Sequence, residues 1–261
     1  MKKNAWKIIL AIAVLVCIVC LGRFGWIKYQ DHKTEQARKE TLKAIASTEF
    51  TGENDGDEPE KVPAGVKHGQ KVDFKKLIKI NSDIYAWIYV PGTDVDYPIL
   101  RHETDNEYYL NHNLDGSEGL PGCIYTEDYN SKDFTDPNTV IYGHNMKNGT
   151  MFGQLKNFSK DDSAYNKSKY FWIFTPEKTY RYEIISAYTT AVNSDTYTLF
   201  KGPGEEFEKY LEKIRGYSEI RTDAEGMNIK DKIITLSTCT GNEATRYVVQ
   251  GKRVDTLDVG Q

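Results

Sequence analysis

The chain is 261 residues long and carries 34 lysines and arginines against 38 aspartates and glutamates, a formal net charge of −4. That balance excludes nucleic-acid binding driven by gross charge, and a mean hydropathy of −0.60 excludes a polytopic membrane protein. Four cysteines are too few and too scattered for a disulfide scaffold or a four-thiolate zinc site, whereas 12% Trp, Tyr and Phe suits a packed, β-rich domain.

The apolar residues are unevenly spread. Residues 8–21, IILAIAVLVCIVCL, are unbroken apolar, and with Arg23 as the one interruption the stretch runs 23 residues from Ala5 to Ile27. A helix rises ~1.5 Å per residue and a bilayer core takes about 20 residues, so this length spans a membrane once. Lys7 and Arg23 lie near its ends, within reach of the interface, and Trp6, Trp26 and Tyr29 sit where interfacial aromatics sit. No A-x-A cleavage pattern follows, so residues 1–30 read as a short tail and a retained anchor rather than a cleaved signal or a core helix. Basic residues flank both sides of the span, so charge alone does not orient it.

Residues 31–72 read as a stalk. Asp31 to Ser47 has the composition of a charged helix. Glu49 to Glu60 then holds six acids in twelve residues with no base, too little apolar surface to order itself, so residues 48–70 form a linker. Residues 1–30 contain five bases and no acid, which leaves the remainder with 29 bases against 38 acids, a net charge of −9. A polyanionic partner does not suit that body.

Residues 73–261 form the third domain, long enough for one well-buried core. Asp73 can cap a short helix in which Phe74, Leu77 and Ile78 share a face. Strands follow at Ile84–Val90, Tyr97–Leu100, Gly122–Thr126, Thr139–Gly143, Tyr170–Phe174, Tyr180–Thr190, Lys232–Cys239 and Arg246–Arg253. Eight strands with turn signals between them predict a mostly β barrel or sandwich. One helix interrupts the late strands: Phe207, Tyr210, Leu211 and Ile214 fall at i, i+3, i+4, i+7, and Gly216 is placed to end it.

Among the cysteines, Cys17 and Cys20 lie in the span and Cys123 reads as a small buried residue. Cys239 ends the strand KIITLSTC beside the six-residue turn TGNEAT, where a thiol is accessible. A short connection makes an antiparallel pair, so Arg246 lies opposite Cys239. A guanidinium there favours thiolate and can hydrogen-bond a developing oxyanion. A cysteine nucleophile also needs a proton carrier. His32 and His68 fall in the stalk and linker, and His102 and His112 in polar loops. His144 follows the strand NTVIYG, at a strand end. No histidine or acid cluster has metal-ligand spacing, and no cofactor is implied.

TLSTC, with Arg seven residues later in RYVV and an upstream IYGHNM, resembles the sortases, and more closely class B, the membrane-anchored cysteine transpeptidases of Gram-positive bacteria. INSDIYAWIYVPGT, YPIL and YYLNHNLDG add to the likeness, which covers the anchor and nearly all of residues 73–253. The insert bearing the 203–216 helix is what suggests class B. The resemblance implies a sortase-like eight-stranded β-barrel with N-terminal helices, preceded by one transmembrane helix. It implies Cys239, His144 and Arg246 as catalytic residues, and Asn111, Tyr142, Tyr197, Thr198, Ser237 and Thr240 as the lining of a substrate groove. The implied reaction cleaves an NP-x-T-like C-terminal sorting motif of secreted proteins through a Cys239 thioester. The acyl group then passes to an amine of a peptidoglycan cross-bridge or its lipid-linked precursor. It further implies a single-pass membrane protein with its catalytic domain outside the cell. The alternatives are a pilin-polymerising sortase using a pilin lysine, a hydrolytic cysteine endopeptidase, and a non-catalytic surface binding module. In one place the chain departs from the class B pattern: the Cys-to-Arg turn is short and Thr240 stands where an acid is common.

Overall fold

The computed structural model describes residues 2–45, 72–159, 163–167 and 169–259. The chain divides into two compact units, residues 1–47 and 48–261. In the first, a single helix α1 (Lys2–Ile45) contains the apolar stretch Ile9–Trp26, long and apolar enough to cross a membrane. The charged segment expected as its own helix is a continuation of α1 as far as Ile45. Residues 26–45 contain neither Gly nor Pro, so nothing in them breaks the hydrogen-bond ladder. The acidic linker at 48–70 lies outside the described residues.

The second unit begins with α2 (Phe74–Ile80). The Asp73 carboxylate accepts from the Lys76 N–H at 3.1 Å, which satisfies one open donor of the first turn. That hydrogen bond holds the Asp73 carboxyl below its ordinary value. Phe74 and Leu77 are buried, but Ile78, expected on the same face, is 46% exposed. A helix of seven residues meets the barrel along one narrow stripe, and position 78 falls at its rim.

The barrel strands are β1 (Ile84–Val90), β2 (Val95–Leu100), β3 (Ile124–Tyr125), β4 (Asn138–Tyr142), β5 (Tyr170–Phe174), β6 (Lys178–Ala191), β7 (Ile233–Cys239) and β8 (Thr245–Asp258). Two short helices, α3 (Tyr108–Asn111) and α4 (Ser163–Lys167), lie between them, and α5 (Glu205–Tyr217) fills the insert between β6 and β7. The strands close in the order β1-β2-β3-β4-β7-β8-β6-β5, with β5 returning to β1. The eight expected strands are all present. The third is only two residues long, while β6 and β8 run to fourteen residues each and pair along their length.

Most neighbours are antiparallel, but β2–β3 and β4–β7 are parallel. Parallel neighbours carry their C-terminal ends to the same side. The loop leaving β4 and the turn leaving β7 therefore share one end of the barrel. Phe171 and Tyr182 are almost wholly buried and stack at 5.2 Å on one face of the sheet, and Trp87 and Trp172, also almost wholly buried, lie on the opposite face. Outside, α5 lays Phe207, Tyr210, Leu211 and Ile214 against Ile185 of β6 and Ile233 of β7. Its first turn holds Glu205, Glu206 and Glu208, which the positive end of the helix dipole favours. The helix passes through Gly216 and ends at Tyr217, one residue beyond the expected stop.

Candidate active site

Cys239 is the last residue of β7 and is partly exposed, and neither it nor Cys17, Cys20 or Cys123 is in a disulfide. Across the β7–β8 ladder its Cα partner is Arg246, the pairing that the six-residue turn predicts. The Arg246 Nη1 donates to the carbonyls of Glu243 and Thr245, both at 3.0 Å, so the guanidinium is seated on the turn itself. Thr240 has a role in closing that turn: its hydroxyl meets the Thr245 hydroxyl at 2.6 Å and accepts from the Asn242 N–H at 3.2 Å.

His144 reaches the same end on the other flank of β7. Tyr142 pairs with Ser237 in the parallel β4–β7 register, and the Gly143 N–H continues the ladder to the Ser237 carbonyl at 3.1 Å. Two side-chain bonds extend the clasp. The Thr238 hydroxyl donates to the Gly143 carbonyl at 2.8 Å, and the Asn145 amide donates to the Cys239 carbonyl at 2.7 Å. His144 is thus fixed between two residues tied to β7. Gly143 is required by packing, because a Cβ there would run into the side chains of Ile124 and Phe152.

The His144 Nε2 lies 2.6 Å from the Leu110 carbonyl at the end of α3. A carbonyl only accepts, so Nε2 carries the hydrogen and the lone pair of the neutral ring sits on Nδ1. Asn111, the next residue, is exposed, and its own carbonyl accepts from the Gly119 N–H at 2.6 Å. Nothing in the sequence signals the Leu110 contact, since a main-chain acceptor is independent of residue type. His102 and His112, expected as loop residues, sandwich Tyr108 of α3 with ring centroids 4.3 and 3.8 Å away.

Beside the thiol runs an aromatic wall. Tyr142 stacks on Tyr125 at 5.4 Å and on Tyr197 at 6.4 Å. The Tyr197 hydroxyl meets the Ser237 hydroxyl at 2.9 Å, two residues before Cys239. Burial pushes all three phenols up from their ordinary value; for Tyr197 the Arg246 charge works the other way. Tyr142 donates to Glu127 at 3.2 Å, and burial raises that carboxyl too, against the pull of the phenol. Of the residues expected to line a groove, the structure brings Tyr142, Tyr197 and Ser237 into one contact set. Thr198 adjoins Tyr197 and is exposed. Tyr125, Glu127 and Asn145 were not picked out from the sequence. Asn145 stood next to the motif histidine, whereas Tyr125 and Glu127 carried no sequence signal beyond a strand and its flank.

The sortase domain family matches residues 88–254. Sortase B of Listeria monocytogenes is 33% identical over 250 residues, covering 91% of this chain and 94% of that protein. The crystal structure of sortase B from B. anthracis in complex with AAEK1 superposes with a TM-score of 0.69 at 30% identity, over 87% of this chain and 99% of that one. The Staphylococcus aureus sortase B–substrate complex gives 0.64 at 31% identity, over 70% and 84%.

Proposed function

This chain belongs to the sortase family, within its class B, and is a cysteine transpeptidase; from that premise we propose that Cys239 is its nucleophile, His144 its proton carrier and Arg246 its oxyanion holder. The family acts on sorting signals and cell-wall amines. For this chain the motif is of NP-x-T type, and the acceptor is an amine of a peptidoglycan cross-bridge or its lipid-linked precursor.

The Cys239 thiol gives its proton to His144 Nδ1, the thiolate adds to the threonine carbonyl carbon, and the N–H groups of Arg246 not engaged with the turn carbonyls hold the oxygen as it gains charge. The C–N bond breaks, the leaving amine takes the proton that His144 carries on Nδ1, and a thioester remains. An incoming amine attacks that thioester, His144 takes its proton, and the thiolate leaves with the new amide complete. Amine must outcompete water at this step, which a groove walled by Tyr142, Tyr197 and Ser237, with Asn111, Thr198 and Thr240 at its margins, favours by orienting the acceptor and excluding solvent.

The observation that carries this reading is the pair of ladders flanking β7. One sets Arg246 opposite Cys239, and the other brings Gly143 and Asn145 into hydrogen bonds with Ser237, Thr238 and Cys239. Residues 1–30 serve as a single-pass anchor, 31–72 as a stalk and 73–261 as the catalytic domain outside the cell. The length and exposure of Ile9–Trp26 support the anchor.

The test is to incubate the full-length protein in detergent with a panel of NP-x-T-type peptides, with and without amine acceptors, and to identify products by mass spectrometry. Amide product that replaces acid as amine is added supports a transpeptidase of this specificity. Acid product alone, at every amine concentration, contradicts it.

A further inference from the structure

A polar cluster lies sealed between α5 and strands β4, β6, β7 and β8, away from the reacting groups. Its members are Asn138, Ser186, Tyr188, Thr196, Thr235, Tyr210 and Gln250, none more than 4% exposed. Burying so many polar groups is expensive unless each is paired, and an apolar filling of the same shape is often as stable. The cluster therefore calls for an explanation in terms of what it holds.

Gln250 is its hub and uses its full hydrogen-bonding capacity. Its carbonyl accepts from the Ser186 hydroxyl at 2.9 Å and the Tyr188 hydroxyl at 3.1 Å. Its amide donates to the Tyr210 and Thr235 hydroxyls, both at 2.8 Å. Each of these hydroxyls has one proton, now free to point onward. Tyr210 donates to the Thr196 carbonyl at 3.1 Å. Thr235 donates to the Asn138 side-chain oxygen at 2.8 Å, and the Asn138 amide donates to the carbonyls of Thr196 at 3.2 Å and Thr198 at 3.3 Å. Two branches from one buried amide thus end on the carbonyls on either side of Tyr197. The Thr196 side chain is itself inserted here, its hydroxyl 3.1 Å from that of Tyr188.

We propose that Gln250 is a positioning residue for the sorting peptide, acting through Tyr210 on one branch and Thr235 and Asn138 on the other to set Tyr197 and Thr198 in the groove. This rests on the assignment of Tyr197 and Thr198 to the groove. It also gives α5 a part in the reaction: the helix supplies the Tyr210 hydroxyl that holds the groove segment.

The test uses the full-length protein with Tyr210→Phe, Thr235→Val and the two combined, changes that remove the relaying hydroxyls and keep the shape. Expected for the double variant is a rise of about tenfold in KM for an NP-x-T peptide, as for one or two lost buried hydrogen bonds, with kcat and the rate of Cys239 alkylation by iodoacetamide changed less than about twofold. In a Tyr197→Ala background the same double change should move KM less than about twofold, because the effect passes through Tyr197. An unchanged KM in the folded double variant overturns the proposal, and so does a KM penalty that persists undiminished without the Tyr197 ring. Should the double variant not fold, the single variants carry the same comparison, with about threefold expected from each. If the wild-type chain transfers no such peptide, the catalytic reading fails separately. Amide hydrogen exchange at residues 194–198 then decides the anchoring: faster exchange in the variants supports it, and an unchanged rate overturns it.

Discussion

The side-chain amide of Asn145 donates to the main-chain carbonyl of Cys239 across 94 residues of sequence, at 2.7 Å. The residue after His144, the proposed proton carrier, therefore holds the backbone of Cys239, the proposed nucleophile, through a hydrogen bond outside the strand ladder. Asn145→Ala should lower kcat/KM for peptide transfer about tenfold, the scale expected when one partly buried hydrogen bond that aligns reacting groups is lost. Steady-state kinetics with Tm as a control checks this; a variant as active as the wild type contradicts it.

Gly143 has no room for a side chain, because Ile124 and Phe152 occupy the space a Cβ would take. Gly143→Ala should therefore destabilise the barrel by about 1–3 kcal/mol, as overpacking does. Thermal unfolding would show it as a lowered Tm. A Tm equal to that of the wild type would mean that the neighbouring side chains yield freely.

The Arg246 guanidinium sits on the carbonyls of Glu243 and Thr245 through one nitrogen, which leaves a planar fork to face a substrate. Arg246→Ala should lower kcat about 100-fold or more, by loss of oxyanion stabilisation. Arg246→Lys should restore little of it, since an ammonium cannot hold the turn and the oxyanion together. Full rescue by lysine would reduce the role of Arg246 to that of a point charge.

Burial holds the Glu127 carboxyl above its ordinary value of 4.5. The folded chain therefore binds that proton more tightly than the unfolded chain. Its contribution to stability is present below the ordinary value and is lost as pH rises through the raised one. Glu127→Gln keeps an acceptor for the Tyr142 hydroxyl and removes the charge. Its Tm should exceed that of the wild type at pH 7, with the difference closing as pH falls below about 4.5. A difference that does not vary with pH contradicts the assignment.

Sequence reasoning reached the Cys239–Arg246 pair because a six-residue turn between two strands leaves one geometry open. It reached His144 through a motif, not through physics: the β4–β7 pairing that delivers it joins strands more than ninety residues apart, and parallel partners leave no turn to read. The Leu110 carbonyl was invisible because main-chain acceptors carry no residue identity. Gln250 and Thr235 read as ordinary strand residues, since a polar side chain facing inward breaks the alternation no differently from one facing a groove. Ile78 was misplaced because a two-turn helix does not present a whole heptad stripe to its neighbour. Helix α5 was found from its apolar spacing, but Gly216 did not stop it, and the helix ended one residue later.

The central claim is that acyl transfer passes through a covalent bond to Cys239. Intact-mass spectrometry of the full-length protein mixed with an NP-x-T peptide and no added amine measures it most directly. The wild type should gain the mass of the acyl fragment at Cys239 and lose it to hydroxylamine, and Cys239→Ala should show neither adduct nor cleavage. Cleavage by Cys239→Ala at the wild-type rate contradicts the account.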